Sequence, residues 1–246
     1  MATAFRPVHQ AAAAAILQSA PSASVYAYGS VVTGQARVGT SDVDLLTVGL
    51  PASDANVIGA QLSTRFAMVC RGVEIGAAHR GDFAGESDEA YGNRVFLRHY
   101  CVLLDGSDVH RPQHDFAGDR RAARGFNGDI GQHARRWRTA VDDGSDPGPL
   151  AQRMARKSLL AVAGLVSIHD HTWTTDREAS AARWGEIAPE HHDGLSQLVS
   201  WASTRPDAPM ETVRDALDET VEAIVTAFSE LIGLWPDRIR DSVTPQ

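Results

Sequence analysis

The feature that most constrains this chain is Val25-Tyr26-Ala27-Tyr28-Gly29-Ser30, followed after eleven residues by Asp42-Val43-Asp44-Leu45-Leu46-Thr47-Val48. The first part reads as a short apolar strand ending in a Gly-Ser turn. The second reads as another strand, opened by two carboxylates. In a strand, residues i and i+2 point to one face, so Asp42 and Asp44 project together while Val43 points into a core. Two carboxylates held that close repel each other, and a divalent cation relieves the repulsion. Hard oxygen ligands suit Mg²⁺, which takes a few carboxylates together with phosphate oxygens. Gly29 lets backbone approach a ligand closely, and Ser30 brings a hydroxyl and an N–H to the expected start of a helix, where phosphate binds. The plain alternative is a β-turn-α connection followed by two solvated carboxylates at a strand end.

The rest of the first half frames this stretch. A helix is expected from Pro7 to about Ser19, ended by Pro21. Its run Ala11 to Leu17 superficially resembles a signal peptide. However, His9, Gln10 and Gln18 bracket only seven residues, five of them alanine, which fits a helix packed on a sheet better. Pro51 closes the second strand, and Ser53 is placed to cap a helix to about Phe66. A third strand is expected from Met68 to about His79, with a bend at Gly72. Asp88 to Leu104 reads as one helix, terminated at Asp105-Gly106.

At 246 residues, 43% hydrophobic and 22% charged, the chain has enough apolar residues for a sizeable core. The net charge of -8 argues against a nucleic-acid surface and is compatible with a cationic small substrate. Cys70 and Cys101 both lie in apolar surroundings and read as reduced, buried thiols of a cytoplasmic protein. No stretch approaches the length of a membrane span. His169-Asp170-His171 and His191-His192 lack the further ligands a zinc site needs and read as surface or helix-end histidines.

The order Gly-Ser, spacer, Asp-hydrophobic-Asp between apolar strands resembles the signature of the DNA polymerase β-like nucleotidyltransferase superfamily. That resemblance implies a third carboxylate on the strand after the Asp-x-Asp strand, and Glu74, between Val73 and Ile75, matches the place. Asp82, in a Gly-bounded loop, is the rival acid. Val102 to Val109 also looks like the exit from the catalytic domain in small-molecule members of the superfamily.

After about His114 the character changes to helices: Gly118 to Val141, Pro149 to His169, Asp176 to Trp184, Pro189 to Ser203 and Pro209 to Leu234. The expected architecture is therefore an α/β (α+β) nucleotidyltransferase domain with a small mixed sheet over 1–117, followed by an all-α helical-bundle domain over 118–246. The segments from Pro149, Thr174-Thr175-Asp176-Arg177-Glu178-Ala179 with Trp184, and Ile187-Ala188-Pro189-Glu190 are similar to the helical half of streptomycin/spectinomycin-type aminoglycoside adenylyltransferases. That family places a phosphate-contacting lysine near here. This sequence has Arg177 instead, and its only lysine is Lys157. Arg177 is the candidate substitute, with Arg153, Arg156 and Lys157 as others.

The function implied is transfer of AMP from ATP onto a hydroxyl of a small cationic molecule, an aminoglycoside by resemblance, with release of pyrophosphate. Asp42, Asp44 and Glu74 would hold Mg²⁺, with Glu74 as general base. Gly29, Ser30 and Ser41 would grip the phosphates, and the helical domain would bind the acceptor. The expected partners are a small-molecule acceptor, no nucleic acid and no membrane, for a monomer. One rival keeps the fold and changes the acceptor to a protein or RNA end; the other belongs to another class, a nucleotide-binding or regulatory module with lost catalysis.

Overall fold

The computed structural model describes residues 3–108 and 112–236, and the chain divides into two compact units, Met1–Phe116 and Ala117–Gln246. The Val109 end of the expected exit motif lies outside the described residues.

The first unit is built on a four-stranded sheet in the order β3-β2-β1-β4, with β1 Ser24–Tyr28, β2 Val43–Val48, β3 Val73–Ala78 and β4 Val102–Asp105. Strand β1 is antiparallel to β2 and to β4, whereas β2 and β3 are parallel. A parallel pair needs a crossover, here α3 (Ala52–Arg65). β1 has neighbours on both edges and its first four residues are buried, which is why it reads as a nearly unbroken apolar run.

Alternation sorts the side chains to two faces. Val25, Ala27, Val43, Leu45 and Val73 join one core with Phe5, Val8, Ala12 and Ile16, and with Ile58 and Leu62 of α3. Most of the partners from the amino-terminal segment belong to α1 (Arg6–Ser19), so the alanine-rich run is a packed helix. Tyr26 and Val48 face the other way, into a core with Ala78, Phe83, Leu97 and Cys101, and Tyr28 and Leu46 pack against it. Leu97 comes from α4 (Asp88–His99), which Ser87 caps by accepting from the Ala90 amide at 3.1 Å. Cys70 and Cys101 are both free thiols and buried.

Three local expectations need correction. The helix from Asp88 stops at His99, and Val102–Asp105 is a strand rather than its continuation. A short apolar run fits either state, and here it pairs with the outer edge of β1. Residues Met68 to Arg71 lie outside the strand, in a turn and a bend, and the Val69 and Cys70 amides donate back to the Phe66 carbonyl at 2.8 and 3.0 Å. Finally, Ser53 does not cap α3. Pro51 holds that position, and the Ser53 hydroxyl donates to the neighbouring Asp54 carboxylate.

The second unit is helical: α5 Arg120–Asn127, α6 Ile130–Asp142, α7 Pro147–Asp170, α8 Arg177–Ile187, α9 His192–Ser203, α10 Met210–Ala216 and α11 Glu222–Leu231. One π-helical turn, Leu217–Val221, joins the last two. The long helix α7 is the centre. Leu150, Met154, Leu159, Val162 and Leu165 are all buried, and it packs against α5, α6, α8, α9 and α11. Among the described residues no helix is long and apolar enough to cross a membrane.

The expected single helix over Gly118–Val141 is two helices, broken at Gly128-Asp129. A partly buried ion pair holds the break: Lys157 Nζ lies 2.8 Å from Asp129 and donates to Asn127 Oδ1 at 3.1 Å, while His133 lies 3.2 Å from the other Asp129 oxygen. The only lysine is thus committed to this pair, and Arg156 to the Ala202 carbonyl. Burial alone would raise the Asp129 carboxyl. Hydrogen bonding from His133 and the Lys157 ammonium overcome it and hold it down at about 2. A carboxyl lowered in the folded state stabilises fully above its unfolded value and loses that contribution as pH falls through the folded one. Asp129→Asn should therefore lose about 2 kcal/mol at neutral pH. Urea unfolding at stepped pH should show the gap to wild type closing between about pH 4 and pH 2. A gap that is constant with pH would remove the ion pair as its cause.

Candidate active site

The corner where β1 ends and β2 and β3 begin gathers the carboxylates. Register does this: Tyr28 sits opposite Asp44 on β1–β2, and Asp44 sits opposite Glu74 on β2–β3. Cross-strand neighbours share a face, so Tyr28, Asp44 and Glu74 form one row. Asp44 is half-buried and Glu74 is exposed. Burial, then the Asp44 and Glu74 charges, push the Tyr28 phenol far above its ordinary value, so it stays neutral beside them. Its ring stands edge-on to Phe96 at 5.1 Å, giving the carboxylates an apolar flank.

Gly29 makes the turn against this row. Its φ of 72° and ψ of -154° suit glycine, and a Cβ there would run into the Asp44 carboxylate. The Gly29 carbonyl accepts from the Val32 and Thr33 amides at 3.1 Å each, which starts the short helix α2 (Ser30–Thr33) directly at Ser30. Ser30 is half-buried beside the turn.

Asp42 lies one residue before β2 rather than inside it. The Val43 amide donates to Gly72 O at 2.9 Å and the Arg71 amide to Ser41 O at 3.0 Å, so the ladder is extended two residues beyond the strands. That extension brings Arg71 against Asp42. The guanidinium donates from Nε to Asp42 Oδ1 at 3.0 Å and from Nη2 to Oδ2, a two-pronged ion pair. The bonded Asp42 carboxylate, with added attraction from Glu74 and Asp44, holds Arg71 more firmly protonated than usual. The Ser41 hydroxyl accepts from the Arg37 amide at 2.9 Å, which closes the preceding turn and leaves its own proton to donate. Asp82 is spent on a turn: its carboxylate accepts from the His79 amide at 2.8 Å. Arg177, exposed, opens α8 in the second unit.

The donors at this corner are hard carboxylate oxygens, and Asp44 lies in a cradle that a Cβ at position 29 would fill. This chemistry fits Mg²⁺, which is commonly held by one or two carboxylates and completed by substrate phosphates. Among the described residues no three His, Cys, Asp or Glu side chains are gathered tightly enough to hold a metal by themselves. Arg71 belongs to no recognisable motif, and Tyr28 reads in the sequence only as the end of an apolar strand. Their place follows from the β2–β3 and β1–β2 pairings.

Residues 12–88 match the family model described as the nucleotidyltransferase domain. The chain is also similar in structure to the spectinomycin adenyltransferase AAD(9) from Enterococcus faecialis, solved with ATP and spectinomycin. The TM-score is 0.57 at 9% identity, over 90% of this chain and 98% of that one, a likeness of fold. No curated protein matches the chain by sequence. The first unit thus contains a nucleotidyltransferase domain of the DNA polymerase β-like kind. The chain is an enzyme of that class, whose members use nucleotide substrates.

Gly29→Ala should displace Asp44 and strain the turn, at about 2 kcal/mol. Thermal unfolding is expected to show a lowered Tm, and nucleotide turnover should fall with it. Unchanged stability and turnover would mean that the turn does not seat Asp44 as described.

Proposed function

We propose that the enzyme transfers AMP from ATP onto a hydroxyl of a small cationic acceptor of the aminoglycoside type, with release of pyrophosphate. The observation that carries this reading is the β2–β3 register, which sets Asp44 and Glu74 side by side next to the Gly29-Ser30 turn. The fold shared with a structure that holds ATP and spectinomycin supports the nucleotide and the acceptor class. The chain's net charge of -8 suits a cationic acceptor and disfavours RNA. The helical unit is the half assigned to acceptor recognition.

In this mechanism Asp42, Asp44 and Glu74 would hold Mg²⁺. The ion supplies charge neutralisation of the phosphates and of the attacking oxygen. Gly29 keeps the backbone low so that phosphate oxygens reach the turn, and Ser30 and Ser41 donate hydrogen bonds to them. Glu74, exposed and next to Asp44, takes the acceptor's hydroxyl proton. The oxygen then bonds to the α-phosphorus while the bond to the β-phosphate oxygen breaks, and pyrophosphate leaves with that electron pair. Tyr28 does not compete for the proton, because its phenol is held neutral.

The direct test is pyrophosphate release with each nucleotide across a panel of aminoglycosides, a protein fraction and RNA. Release that depends on ATP and an aminoglycoside is the expected result, and release only with protein or RNA would replace the acceptor assignment. Asp42→Asn and Asp44→Asn should each lower turnover at least about a hundredfold with the fold intact by circular dichroism. Near wild-type turnover in either variant at saturating Mg²⁺ would dismiss the metal assignment.

Glu74→Gln keeps the shape and removes the base. It should lower kcat about a hundredfold while nucleotide affinity changes little. The reverse pattern, weaker nucleotide binding with kcat spared, would make Glu74 a ligand rather than the base.

A further inference from the structure

We infer that Arg71 is the resident cation of this carboxylate corner and competes with the divalent ion for Asp42, so that its release couples metal binding to nucleotide binding. The inference rests on the nucleotidyltransferase reading of the same site and adds a positioning residue to it.

The geometry is that of a built pair. Both Asp42 oxygens are taken by the guanidinium fork, and the carboxylate is only 16% exposed while the Arg71 side chain covering it is 55% exposed. The two residues are not brought together by flexible side chains alone. Arg71 N–H to Ser41 O and Val43 N–H to Gly72 O fix the backbone on both sides of the pair. Gly72 adds room: a Cβ there would stand 3.4 Å from Asp42 Oδ1, so the carboxylate lies directly over that glycine.

Charge gives the pair its consequence. Asp42, Asp44 and Glu74 all attract Arg71, so one guanidinium offsets part of the mutual repulsion of three carboxylates. A divalent ion drawn to Asp42 meets that guanidinium at contact distance, and the two cations repel. Both cations want the same oxygens. A triphosphate changes the balance, since its oxygens accept an arginine fork as readily as a carboxylate does. Arg71 then has a second partner, Asp42 is released to the metal, and ion and nucleotide bind with positive coupling. An exposed ion pair of ordinary kind would contribute little and would leave metal affinity alone, which is the outcome that separates the two views.

The test uses the full chain with Mn²⁺ as the probe, titrated by electron paramagnetic resonance without nucleotide. Arg71→Gln should bind Mn²⁺ about tenfold more tightly than wild type. Arg71→Lys, which keeps the charge and loses the fork, should fall between them. Adding a non-hydrolysable α,β-methylene ATP analogue should tighten Mn²⁺ binding in wild type clearly more than in Arg71→Gln. Asp42→Asn should weaken Mn²⁺ binding and cancel the gain in the double variant. Unchanged or weaker Mn²⁺ binding in Arg71→Gln overturns the inference, and if Asp42→Asn still weakens binding, the metal reading survives that failure. No Mn²⁺ binding by wild type, with or without the analogue, overturns both.

Discussion

The first unit depends on a crowding of negative charge that the sheet enforces. Parallel pairing of β2 with β3 sets Asp44 and Glu74 on adjacent strands in direct register, and the antiparallel partner β1 ends at the same level with Tyr28. Like charges directly opposite destabilise a sheet. The arrangement persists because the other face of the same strands is well buried: Val43, Leu45 and Val73 belong to the core under α1 and α3. Apolar packing on one face thus holds charge together on the other. The alternation of side chains in a strand makes the two inseparable, since a slip of one residue would exchange the faces.

The remaining features at this corner answer the same constraint. Gly29 has no side chain because the Asp44 carboxylate occupies that space. Arg71 supplies a positive charge where the ladder begins. Phe96 gives Tyr28 an apolar neighbour, and Asp44 beside it is half-buried while Glu74 remains exposed. One acid is therefore shielded and another is solvated, a division that suits separate tasks of holding charge and accepting a proton.

What could be read from the sequence follows from how local each signal is. The strand-turn-helix at Tyr28-Gly29-Ser30 and the Asp-x-Asp start of β2 are encoded within a few residues, by an apolar run, a glycine and a carboxylate period of two. Asp42 nevertheless falls just outside the ladder, because the strand's paired region starts at Val43. The Val102–Asp105 run was ambiguous on its own terms, and only the open edge of β1, some seventy-five residues earlier, makes it a strand. At the break at Gly128-Asp129, Lys157 from another helix pairs with Asp129, a contact no local pattern shows. An apolar helical period continues across that point in the sequence, although Asn127-Gly128-Asp129 is itself a local turn signal.

Arg71 marks the limit of such reading most clearly. The sequence places it inside the strand expected from Met68, just before the bend at Gly72, where a lone arginine is ordinarily a solvated side chain. Its partner lies across a crossover that contains all of α3. The pairing exists because parallel register places the residue before Gly72 beside Ser41, which turns two separate loops into one extension of the ladder. Topology thus converts a surface arginine into a counter-ion for the same acids that make the site. An anionic cluster that carries its own cation does not have to wait for a metal to be stable, and on the proposed reading a metal would have to be worth more than the guanidinium it displaces. Phosphate oxygens are what can shift that balance, since they favour the incoming ion and the departing arginine together.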